Sequence, residues 1–78
     1  MKNFYLIKFD KTIKEDFLVD IVNNILKNLY HRNYFFYLDD VLIGKREYYF
    51  IFGGDTKFGI LISEINNFLK INSHKIIN

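Results

Sequence analysis

The chain has 78 residues, with 11 Lys+Arg against 9 Asp+Glu and a formal net charge of +2. That length supports a single domain spanning residues 1–78, and the near-balance of charge argues against a dedicated nucleic-acid wrapping protein. Half the residues are hydrophobic and 19% aromatic, which excludes a disordered tail, and the absence of cysteine excludes disulfides, zinc ribbons and thiol redox chemistry.

In chain order, Phe4–Phe9 reads as a strand, because aromatic and branched residues pack well on a pleated surface. Its two faces carry Phe4 and Leu6 against Tyr5, Ile7 and Phe9. Thr12–Tyr30 reads as a helix. Ile13, Phe17, Leu18, Ile21, Val22, Ile25, Leu26, Leu29 and Tyr30 form one stripe, and Thr12 with Glu15 has the spacing of a capping box. His31 follows, where a cationic ring complements the helix dipole.

Tyr34–Leu38 and Glu47–Phe52 read as strands. Between them, Asp39-Asp40 is either a tight turn or a bulge in one long strand reaching a turn at Gly44-Lys45-Arg46. The bulged strand is the preferred reading. Two readings also stand for the segment that follows. One is a long helix over Thr56–Ile71 with Thr56 as cap. The other is a hairpin at Gly53-Gly54, a strand over Phe58–Ile62 and a short helix over Glu64–Lys70. The longer helix is favoured despite Gly59, which costs about 1 kcal/mol relative to alanine in a helix interior. Ile76-Ile77 forms a last edge strand or docks loosely. The order βαββα(β) with short connections predicts a small ferredoxin-like α+β sandwich, an antiparallel sheet with two helices.

Both faces of the predicted sheet are apolar. Tyr48, Phe50 and Phe52 oppose Tyr49 and Ile51 on one strand, and Tyr34, Phe36 and Leu38 oppose Phe35 and Tyr37 on another. Two helices on one side leave aromatics uncovered on the other, the usual mark of an interface. Ile, Lys, Asn, Phe and Tyr supply 12, 9, 9, 9 and 6 residues, so A/T-rich codons account for some of that aromatic content.

The expected function is therefore non-enzymatic protein binding, as a small inhibitor or adaptor, a subunit of a larger assembly, or a homodimer. Tyr34, Tyr37, Tyr48, Tyr49, Arg46, Asp39 and Asp40 are the candidate contacts, and no cofactor or metal is expected. The alternative partner is RNA or single-stranded DNA stacking on sheet aromatics, with Lys45, Arg46 and Lys57 along one edge.

Two short stretches carry resemblances. Tyr37-Leu38-Asp39-Asp40-Val41-Leu42-Ile43-Gly44 resembles the Tyr-x-Asp-Asp hairpin of reverse transcriptases, and Asp10 stands where that family's other metal-binding aspartate would be. Phe52-Gly53-Gly54-Asp55 resembles the Gly-Gly-Asp turn of cyclase-type palm domains, with Thr56 in place of the next acidic residue. The first implies a palm-like Mg²⁺ site at Asp10, Asp39 and Asp40 for nucleotidyl chemistry. Ordinary turn chemistry accounts for both stretches and is the preferred reading. His74 has no companion at metal-ligand spacing, and with Ser63, Ser73, Thr12 and Thr56 as the only hydroxyl nucleophiles, Thr12 and either Thr56 or Ser63 being read as helix caps, no hydrolytic triad is expected.

The apolar run in Met1–Phe9, flanked by Lys2 and Lys8, is too short for a secretory signal, and no run approaches the roughly 20 residues of a membrane span. These features predict a soluble protein in a reducing intracellular compartment.

Overall fold

The computed structural model describes residues 3–77. Met1 and Lys2, which belong to the N-terminal segment weighed above as a signal, lie outside them. The elements run β1 (Phe4–Asp10), α1 (Glu15–His31), β2 (Phe36–Ile43), β3 (Glu47–Gly54), α2 (Phe58–Asn66) and β4 (Ser73–Ile77). The sheet order is β2-β3-β1-β4 with every neighbouring pair antiparallel, so β1 and β2 run parallel with β3 between them. This is the ferredoxin-like α+β fold.

The pleat decides what each strand buries. Tyr5, Ile7 and Phe9 of β1 and Tyr48, Phe50 and Phe52 of β3 point to the helix side, where Leu18, Val22, Ile25, Leu26 and Leu29 of α1 and Leu61 and Ile65 of α2 complete one core. Aromatic rings fill its centre. Phe50 meets Phe9 edge-on at 5.2 Å, and Tyr5 stacks on Phe58 at 4.3 Å. Phe17 and Tyr30, placed on the helix stripe by periodicity, are 61% and 59% exposed, because they flank the seam that α1 presents to the sheet.

Helix ends follow local chemistry. α1 begins at Glu15 with Lys14 as N-cap and no side-chain cap, so the Thr12–Glu15 capping box does not form. Its far end is a Schellman motif: Tyr34 N–H donates to the Leu29 carbonyl, Asn33 N–H donates to the Tyr30 carbonyl, and Asn33 takes the left-handed φ of 66°. α2 is helical as favoured, but its nine residues stop at Asn66, and Lys57 rather than Thr56 is its N-cap. The Asp55 carboxylate accepts from the Lys57 N–H at 3.0 Å, an Asx turn that starts the helix.

β2 carries the expected bulge, a register shift between Leu38 and Asp40. One extra residue resets the alternation. Phe36 and Leu38 before it, and Val41 after it, stay on the core side, and Asp40 and Leu42 fall on the opposite face. At the edge, β4 extends over Ser73–Ile77 and pairs with β1 from Ser73 opposite Lys8 to Ile77 opposite Phe4.

Tyr5 ties β1 to the loop before α2. Its buried hydroxyl donates to the Asp55 carbonyl at 2.6 Å, and Asp55 N–H donates to the Phe35 carbonyl. Burial, and secondarily the Asp55 carboxylate, hold the Tyr5 phenol above its ordinary value of 10.0. A phenol with a raised folded-state pKa favours folding fully below the unfolded value and loses that contribution as pH climbs through the folded one. Stability should therefore fall in an alkaline step beginning near pH 10. Tyr5→Phe should remove the Tyr5 part of that step and cost about 1 kcal/mol at neutral pH through the lost hydrogen bond. Urea titrations of both proteins from pH 7 to 11 check this, and identical alkaline slopes would refute it.

Candidate functional site

The helices cover one side of the sheet and leave the other open. Register places the open side in rows across the strands. One row is Leu42, Tyr49, Lys8 and Ser73, and the next is Asp40, Ile51, Leu6 and Lys75. Beyond it come Tyr37 and Gly53 on one half and Phe4 and Ile77 on the other. The centre is apolar and half-buried, with Leu6, Ile51 and Tyr49 side by side. Tyr37 and Leu42 at the β2 margin are 43% and 49% exposed.

Gly53 makes room for this surface. A Cβ there would run into the Tyr37 ring, so glycine lets the tyrosine lie across β3. Lys8 holds its ammonium 5.4 Å from the Tyr49 ring centre, a cation–π contact within the face. Between β1 and β4, Leu6, Lys8, Ser73 and Lys75 border a shallow depression of about 140 Å³.

Charge is distributed unevenly over the margins. Asp39 and Asp40 sit on the bulge of β2, and Lys75 stands on β4 at the opposite edge. Asp40 caps the Val41 N–H at 2.8 Å. Among the described residues the ion pair is Arg32–Glu64 at 2.8 Å, away from this face, and Asp40 and Lys75 have no ionic partner among those residues. At one end of the sheet Asp10 and Glu47 stand opposite each other, and the Asn72 amide donates to both carboxylates.

The structure brings Tyr37, Tyr49, Asp39 and Asp40 together on or beside the open face, but separates the other expected contacts. Tyr48 is a correction. It belongs to the core side with Phe50 and Phe52 and is only 8% exposed, because α1 and α2 cover that parity of β3. Tyr34 lies in the α1–β2 connection, where its ring has the Arg32 guanidinium at 5.8 Å and the Lys57 ammonium at 5.6 Å. Arg46 is exposed in the β2–β3 turn, beside the end of the face. Phe4, Leu6, Lys8, Leu42 and Lys75 complete the surface. The parity of β1 signals the first three, since Lys8 is the one charge among Phe4–Phe9.

The palm-like arrangement does not assemble. Asp39-Asp40 is a mid-strand bulge rather than a hairpin tip, and Gly53-Gly54 ends β3 without a hairpin. Asp40 is level with Leu6 on β1, and Asp10 lies four residues further along that strand, about 13 Å away at ~3.3 Å per residue. Among the described residues no three His, Cys, Asp or Glu side chains converge as a metal set. His74 instead packs edge-on against the Phe58 ring at 5.6 Å.

A separate cleft of about 270 Å³ lies at the α1 end of the sheet, lined by Phe9, Asp10, Thr12, Ile13, Phe68 and Lys70 among others.

No family model matches the chain, and no curated protein matches it. Among solved structures, the aspartate kinase of Clostridium acetobutylicum, described as an allosteric enzyme, is similar over 96% of this chain, with a TM-score of 0.62 and 21% identity. The chain spans 17% of the length of that kinase. The likeness is one of fold. No described helix is long and apolar enough to cross a membrane.

Proposed function

We propose that this domain is a non-enzymatic protein-binding module that docks through its open sheet face, as an adaptor, an inhibitor or a subunit of an assembly. The observation that carries this reading is the apolar sheet surface, from Tyr37 and Leu42 across Tyr49 and Ile51 to Leu6, which neither helix covers. A partner that covers it gains about 25 cal/mol for each Å² of apolar area removed from water. Tyr49 and Tyr37 are the anchors, because tyrosine gives large contact area and a polar tip at low entropy cost. Aspartates on one margin and a lysine on the other orient the partner more than they hold it.

The wide separation of Asp10 from Asp39 and Asp40 favours binding over catalysis. In the similar kinase this fold accounts for a small share of a longer chain, which suits a module that works beside others. A sequence without cysteine suits a reducing intracellular compartment. The test is crosslinking in cells from a photoreactive residue at Leu42, on the open face, against one at Asn24, on the exposed side of α1. Protein adducts should form from Leu42 and not from Asn24.

A further inference from the structure

We propose that the partner seated on the open face is a second copy of this chain, stacked sheet to sheet about a two-fold axis parallel to the strands. The inference rests on the protein-docking reading above and adds the identity of the partner. The register of a single row carries it. Asp40, Ile51, Leu6 and Lys75 stand level across β2, β3, β1 and β4. A two-fold along the strands exchanges the sheet edges and keeps each row at its own height. It sets Asp40 over the mate's Lys75, Ile51 over its Leu6, and the same two contacts again in reverse.

The row is thus complementary to itself in charge and in apolar character, as an isologous interface requires. In the neighbouring row the operation sets Lys8 over the mate's Tyr49, a second cation–π contact like the one each chain already makes internally. The other in-plane axis, across the strands, would set Asp40 over Asp40 and Lys75 over Lys75. Asp40 and Lys75 lack ionic partners among the described residues of their own chain, so both are free to pair across the axis.

The groups facing the interface also include Asp10 and Glu47 at one end. Aligned sheets pack about 10 Å apart and rotated by about 30°, which carries residues ~13 Å from the centre roughly 7 Å sideways from their mates. The Asp10 and Glu47 carboxylates still face like charges of the mate at that end, which keeps the association weak, and in each chain the Asn72 amide donates to both of them. At ~4.8 Å between strands and ~3.4 Å per residue the open face measures about 19 by 20 Å, the size of a weak, reversible dimer rather than an obligate one.

Sedimentation velocity on the whole chain, from micromolar to millimolar concentration, tests this against the charge-swapped variants Asp40→Lys and Lys75→Glu, with circular dichroism confirming that each is folded. The chain should dimerise reversibly. Each single swap should weaken the dimer about tenfold by turning two symmetric attractions into repulsions, and the double swap should restore it to within about threefold. A chain that stays monomeric throughout overturns the proposal, and so does a dimer that ignores the swaps. Adducts from Leu42 to proteins other than this chain, beside such a monomer, would leave the docking face standing without the self-association.

Discussion

Phe50→Ala should remove a large part of the domain's stability. The Phe50 ring is fully buried at the centre of β3, edge-on to Phe9 and near Phe52. Truncating such a ring removes its transfer free energy and leaves a cavity that a sheet under two helices cannot close, a loss of about 3–5 kcal/mol. A domain of this length has about 4–12 kcal/mol in total, at roughly 0.05–0.15 kcal/mol per residue. Ile76→Ala is the control. Ile76 shares the core-side parity but is 56% exposed at the sheet edge, so it should cost no more than about 0.5 kcal/mol. Urea denaturation followed by circular dichroism measures both. Equal, small losses would mean that the β3 aromatics are not the core.

Gly54→Ala should cost more than about 2 kcal/mol, through backbone geometry rather than lost contacts. Gly54 closes β3 at a φ of 115°, a conformation L-residues rarely adopt, and a Cβ there would collide with the Phe35 carbonyl oxygen and the Phe36 backbone. Those atoms are themselves fixed, because the Phe35 carbonyl accepts from Asp55 and Phe36 pairs with Gly54. Gly59→Ala is the opposite case. A Cβ at Gly59 would meet nothing within 4 Å, so alanine there should be neutral or stabilise by up to about 1 kcal/mol. Thermal melts of the two variants separate the cases, and a Gly54→Ala protein as stable as the parent would remove the strain argument.

Most of the fold is legible because its residues have one good use. Val22, Ile25, Leu26 and Leu29 recur at a helical period with polar residues between them, and they are the buried face of α1. Ends are less legible because several residues compete for them. Thr12 has capping chemistry, yet the chain is still turning there and helical bonding begins only when Leu18 N–H reaches the Lys14 carbonyl. α2 stops short of Ile71 because Asn66-Asn67 leads into a turn in which Phe68 and Leu69 N–H both return to the Ile65 carbonyl. Ser73-His74-Lys75 carries no strand propensity, and the free edge of β1 recruits it into β4.

The site is legible up to a parity. The sequence separates Tyr48, Phe50 and Phe52 from Tyr49 and Ile51 without saying which set the helices cover. Lys8 resolves β1, since the face carrying it is the open one, and the register with β3 then carries Tyr49 and Ile51 to the same side. Lys75 could not be placed this way, because its position opposite Leu6 exists only once β4 pairs.

The proposed docking surface is the open sheet face rather than the helix face. Photocrosslinking in cells from Leu42 and from Asn24, read by the mass and identity of the adducts, tests that most directly. Protein adducts concentrated at Leu42, at twice the chain's own mass if the self-association also holds, are the expected result. Adducts from Asn24 with none from Leu42 would contradict it.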